Sequence, residues 1–132
     1  MSFTQTVTAT LTGGMQPLSV STSETAGHPI PYDEALLTSA ADVLVDCVIN
    51  VAQLKSLFIR GSAGGLVVKI NSSSVPDKTL TIPAGVAVIW LAEWASWYPC
   101  PLGTVNVASL YVTNSLAAAN NFQMDGLVDP TV

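Results

Sequence analysis

The residues that could do chemistry are few and scattered. His28 is the only histidine, in the segment AGHPIP, and the two cysteines, Cys47 and Cys100, lie far from it and from each other. A hydrolytic triad needs a nucleophile beside an imidazole that a carboxylate orients. No Gly-x-Ser-x-Gly elbow is present to present one, so His28 reads as a solvent-facing loop residue. One histidine and two distant cysteines are too thin a set for zinc. The acidic pairs Asp33-Glu34 and Asp125/Asp129 lack the Asp-x-Asp-x-Asp spacing of a calcium loop. Glycoside hydrolysis needs two carboxylates brought together in space, and nine carboxylates in the chain are a sparse supply. GSAGG (61–65) lacks the Gly-Lys-Ser/Thr ending of a phosphate loop. The inventory predicts no catalytic residue, no metal and no cofactor. The chain reads as a non-enzymatic protein.

The aromatic residues are concentrated instead. IWLAEWASWYPCP (89–101) holds all three tryptophans, Trp90, Trp94 and Trp97, followed by Tyr98. Spacing of i, i+4, i+7 would put them on one face of a helix. Pro99 and Pro101 follow at once and the strand-like VAVIW precedes. The segment therefore predicts a strand running into an irregular loop, with one helical turn as a compromise. Trp90 is expected in the core at the strand's end. For Trp94, Trp97 and Tyr98 three roles stay open: a cap over the core, a protein–protein contact, or a sugar-stacking platform. Large aromatic side chains bury much area at low entropic cost, which enriches them at contact hot spots.

Composition narrows the partners. A chain of 132 residues is the size of one domain and can bury roughly two-thirds of its unfolded surface. Charged residues make up 10% of it, against about 25% in an average domain. Mean hydropathy is +0.49, and so low a surface charge favours association. The net charge is −5, and the four basic residues, Lys55, Arg60, Lys69 and Lys78, fall in one central stretch. A groove that tracks phosphates needs several cations on one face, so no nucleic-acid partner is expected. No membrane partner is expected either: the longest apolar stretch, LTIPAGVAVIWLA, is interrupted by Pro83 and Gly85, and a spanning helix needs about 20 apolar residues. MSFTQTVTATLTGG has neither a basic segment nor a continuous apolar core of a secretory signal. Synthesis in the cytoplasm is expected, with Cys47 and Cys100 as reduced, buried small hydrophobes rather than a mutual disulfide.

The elements that would position these residues are strands. Phe3, Val7, Ala9 and Leu11 alternate with Thr4, Thr6, Thr8 and Thr10, and Gly13-Gly14 ends the run. QPLSVSTSETAGHPIP reads as an extended loop or arm, with room for a short edge strand. In ALLTSAADVLVDCVIN the first half could make a helical turn, whereas Val43, Val45, Cys47 and Ile49 alternate as a strand. SLFIRGSAGG (56–65) aligns without gaps on SLYVTNSLAA (109–118), and a Val-Ala pair precedes each copy. Two similar hairpins at equivalent places in two sheets would give this, and so would coincidence between β-segments. NSSSVPD reads as a turn, KTLTI as a strand, PAG as a tight connection and VAVIW as a strand. Short strands at such spacing predict an all-β protein, a β-sandwich or jelly-roll-like single domain over 1–132. It should have at least seven strands and an irregular N-terminal arm at 13–31. The arm has few large apolar residues, Met15, Leu18, Val20 and Ile30. These cannot offset an ordering cost of roughly 1–2 kcal/mol per residue, so a neighbour should hold it. The expected protein–protein contact set is Trp94, Trp97 and Tyr98 together with Met15, Leu18 and Val20.

The second half, VAQLKSLFIRGSAGGLVVKINSSSVPDKTLTIPAGVAVIW followed by VNVASLYVTNSLAAANNFQMDGLVDPTV, resembles small structural proteins of tailed bacteriophages. The Asn71–Asp77 turn, the Thr81–Trp90 element, the Ser109–Asn114 strand and the Asp129–Thr131 tail carry the resemblance. Relatives of this type more often have a Gly/Ser-rich loop where this chain has its tryptophans. The resemblance implies a virion component, a capsid decoration (cement) protein with a β-sandwich fold. It would bind and stabilise the major capsid protein, as a homo-oligomer or in many copies on an icosahedral lattice, on the capsid surface, after synthesis in the host cytoplasm. A tail or baseplate component belongs to the same class. A host-surface glycan-binding module, built on Trp94, Trp97 and Tyr98, is the alternative.

Overall fold

The computed structural model describes residues 2–14 and 18–131. Among them are eleven strands and two single 3₁₀ turns, with no longer helix. The strands are β1 (Phe3–Leu11), β2 (Leu18–Ala26), β3 (His28–Pro29), β4 (Tyr32–Leu36), β5 (Val43–Val45) and β6 (Leu54–Gly61). They continue with β7 (Leu66–Ile70), β8 (Lys78–Ile82), β9 (Val88–Leu91), β10 (Leu110–Thr113) and β11 (Asn120–Val128). No helix among the described residues is long and apolar enough to cross a membrane.

Two antiparallel sheets face each other. One runs β5-β10-β7-β8. The other runs β9-β6-β11, with β3 and β4 sharing the far edge of β11. Alternation puts one face of each strand inside: Leu66, Val68 and Ile70 of β7 and Leu110 and Val112 of β10 meet Leu57 and Ile59 of β6 and Phe122 and Met124 of β11. The protein is an all-β sandwich. Period two persists beyond β5: Val45, Cys47 and Ile49 are buried while Leu44, Asp46 and Val48 are exposed. The helical turn considered for the preceding segment does not form. Ala35 and Leu36 finish β4, and Ser39 and Asp42 turn the chain through positive φ of 52° and 49°.

The internal repeat is structural, but its units are not hairpins. Leu57 and Leu110 point into the core, and Phe58 and Tyr111 lie half-buried on the outer faces. β6 and β10 each occupy an inner position, in opposite sheets. After the shared segment the chain crosses between sheets, from β6 to β7 and from β10 to β11, because β6 pairs β11 and β7 pairs β10. Each unit is therefore an arch, and the two arches interlock. Asn120 stitches them: its Oδ1 accepts from Ala63 N at 2.8 Å and its Nδ2 donates to Gly64 O at 3.2 Å. Asn114 donates to Leu37 O and Ala118 O, both at 3.0 Å. A side chain at Gly61 would place Cβ 2.0 Å from Gly64 O. The Val-Ala pairs before the copies are not equivalent: Val51-Ala52 begins a 3₁₀ turn, and Val107 bridges Ile49.

The irregular arm expected at 13–31 is mostly strand among its described residues, Leu18–Ala26 and His28–Pro29. Within that range β2 pairs with β1 over nine residues, from Phe3↔Ala26 to Leu11↔Leu18. The Ser/Thr composition that reads as loop is here the second half of a hydroxyl ladder. Thr4, Thr6 and Thr8 meet Thr25, Ser23 and Ser21 at 2.7, 2.7 and 3.1 Å. A β-branched strand supplies the template, and small hydroxyl residues fit opposite it.

Candidate functional site

The most unusual surface is formed by the β1–β2 hairpin and the tryptophan loop. The hairpin is a separate two-stranded sheet. Its base lies over the outer face of the β9-β6-β11 sheet and is held there by polar contacts. Gln5 Nε2 donates to Asp125 Oδ1 at 2.9 Å, and Ser56 Oγ, buried beneath the hairpin, donates to Gln5 Oε1. Glu24 Oε1 accepts from Glu93 N at 3.0 Å. That bond also satisfies an amide at the start of the turn Ala92–Trp94, which has no side-chain cap of its own. Sequence reasoning missed this clamp. The signal was present: Glu24 is the only charged residue before Asp33, and Gln5 interrupts an otherwise Thr/apolar alternation.

The tryptophan loop has the expected single turn. Ala95 N donates to Ala92 O, and both Trp97 N and Tyr98 N donate to Trp94 O. Trp90 is core, 4% exposed, and its indole Nε1 donates to Tyr98 O at 2.8 Å, tying the loop to the strand it leaves. Tyr98 is half-buried against the core. Trp94 is half-buried, and Trp97 is 70% exposed. Ring centroids are 5.8 Å apart for Trp94–Trp97 and for Trp97–Tyr98, with the planes inclined by 39° and 41°. The three rings thus pack on one another as a tilted cluster with Trp97 outermost.

Of the six residues expected in the contact, Trp94, Trp97 and Tyr98 come together. Val20, 62% exposed, lies on the distal part of β2. It sits four residues beyond Ala26's neighbour-side anchor Glu24, about 13 Å along the strand. Leu18 opens β2, its side chain lying outside what is described, and Met15 lies outside the described residues. A cleft of about 640 Å³ borders the loop on its other side, lined by Trp90, Pro99, Cys100, Leu102, Lys78 and Val51 among others.

Asp33 and Asp125 line one pocket of about 520 Å³ together with Tyr32, Arg60 and Gln123. His28 is exposed. Among the described residues no group of three or more His, Cys, Asp or Glu side chains could hold a metal ion, and no buried side-chain N or O lacks a hydrogen-bond partner. Both cysteines are free, Cys47 buried and Cys100 half-buried. Burial pushes both thiols above their ordinary range. Burial also raises the Tyr32 hydroxyl, with the neighbouring Cys47 adding to the shift. The shifts have a stability consequence. Below an ordinary thiol value of 9.0 the Cys47 proton is retained whether the chain is folded or not. As pH rises past it, the unfolded chain loses the proton first, so alkali favours unfolding. The melting temperature of the wild type should therefore fall above pH 9 and that of Cys47→Ala should fall less steeply. Equal slopes would show that this thiol does not carry the effect.

Comparison of the chain with protein-family models, curated proteins and solved structures returns no match.

Proposed function

We propose that this protein is a non-enzymatic structural component of a tailed-phage virion, a capsid decoration protein that binds the major capsid protein and stabilises the shell. The observation that carries the reading is the exposed Trp97, set on a fixed loop beside a projecting hairpin with a single charged residue. Other apolar side chains are exposed as well, Leu37, Val48 and Val75 among them, but none of these three is an aromatic ring packed against two others. Contact of this kind needs no reaction. Its energy comes from apolar area, multiplied over many copies on a symmetric lattice. The tilt of the aromatic rings favours this reading over the glycan-binding one, since rings inclined by 39° and 41° make no continuous flat platform for sugars.

The test is to add purified variants to undecorated shells and measure occupancy. Trp97→Ala should weaken binding by about 2 kcal/mol or more, roughly 30-fold, as a hot spot does. It should leave the isolated domain folded, because the ring is mostly exposed. Replacing residues 8–21 by a two-residue Asn-Gly turn should act the same way. Wild-type occupancy for both variants would sink the proposal.

A further inference from the structure

Strand β1 leaves one long edge open. Among the described residues, neither β1 nor β2 makes a backbone hydrogen bond to any strand but the other. An open edge is a row of unpaired N–H and C=O groups, and proteins normally blunt it with charge, proline, a bulge or brevity. β1 has none of these: FTQTVTATL is nine residues long, uncharged and free of proline, and its register with β2 is unbroken. An isolated two-stranded hairpin is also marginal in water, and only the base of this one is clamped to the body.

The sequence of β1 is patterned for one partner. About Val7 it reads alike in both directions. An antiparallel copy would set Val7 opposite Val7, Thr6 opposite Thr8, Gln5 opposite Ala9 and Thr4 opposite Thr10. Every threonine meets a threonine, and the two-fold axis runs perpendicular to the sheet. The hydroxyl ladders of both copies then lie on one face and both sandwiches on the other, with the clamp of each body at its own Gln5, on opposite sides of the two-fold axis. No charge opposes its like along this edge. We propose that β1 is a self-association edge: two copies of this chain pair β1 to β1, antiparallel about Val7, into one four-stranded sheet. The inference concerns the chain alone in solution and does not rest on the capsid reading.

Sedimentation equilibrium of the full chain tests it. The wild type should approach twice the 13.7 kDa chain mass as concentration rises. Thr6→Lys/Thr8→Lys puts lysine opposite lysine in this register, and like charges directly opposite destabilise a strand pair. That variant and Thr6→Glu/Thr8→Glu should each sediment as monomers, and an equimolar mixture should recover the doubled mass. Both positions are exposed, so circular dichroism should show both variants folded. A wild type that stays monomeric, a lysine variant that keeps the doubled mass, or a mixture that fails to restore it would overturn the proposal. Hydrogen exchange needs no variant: protection of β1 amides should rise with protein concentration while that of β8 amides does not. Concentration-independent exchange in β1 would equally overturn it.

Discussion

Replacing Phe122 with alanine should cost about 3–5 kcal/mol of stability, among the largest effects a single substitution can have here. Phe122 is fully buried at the centre of the sandwich. Its strand, β11, is paired on both edges, with Gly61 of β6 on one side and Glu34 of β4 on the other. Neither neighbour can slide to fill the space, because each is fixed by ladder bonds. The loss is therefore the transfer energy of the ring plus the cavity it leaves. For a domain of this size that is a fall in melting temperature of about 10–18 °C. Phe122→Leu, which keeps most of the volume, should lose much less. Chemical denaturation of the three proteins measures it, and a loss under about 1 kcal/mol for the alanine variant would mean that the sheets do not close over this ring.

The second large effect is expected where the arches interlock. Asn120 is buried, and its amide satisfies Ala63 N–H and Gly64 C=O in the crossing of the other arch. Truncation to alanine leaves a backbone donor and acceptor without partners, at about 1–3 kcal/mol for each group that water cannot reach. We expect about 2–4 kcal/mol in all, although only a small polar side chain is removed. Asn120→Asp separates this cause from simple packing. It keeps the acceptor toward Ala63 but points an oxygen at Gly64 O and Asn114 Oδ1, so the carboxyl should be held protonated in the fold. A pKa raised by folding gives stability that is present at acid pH and lost as pH rises through the folded value. Relative to the wild type, the aspartate variant should therefore recover at low pH, and the alanine variant should not. Parallel pH profiles for the two would show that the hydrogen bonds are not what holds the arches.

Local pattern was enough to determine several of the strands and their inward faces. β-branched alternation at Val43–Ile49, the KTLTI run and the Ser-Leu-aromatic copies state period two within a few residues, and burial follows that period wherever a sheet covers one face. The buried Trp90 and the single turn after it were legible for the same reason, since Pro99 and Pro101 bound the loop from one side and the strand from the other. The sequence by itself also determined the absence of charge along β1, which depends on no neighbour. Only the tertiary structure decided what those strands join. Nothing local tells a hairpin from an arch: the difference lies in whether β6 finds β7 or β11, and that is settled by which faces can be buried together. Likewise Ser21 to Thr25 include no apolar residue, and they became a strand because β1 offered a matched ladder. The clamp of Gln5, Ser56 and Asp125 joins positions far apart in the chain. Hydrogen bonds of that kind leave no periodic trace in sequence, because each partner is polar in a place where polar residues are ordinary until the fold covers it.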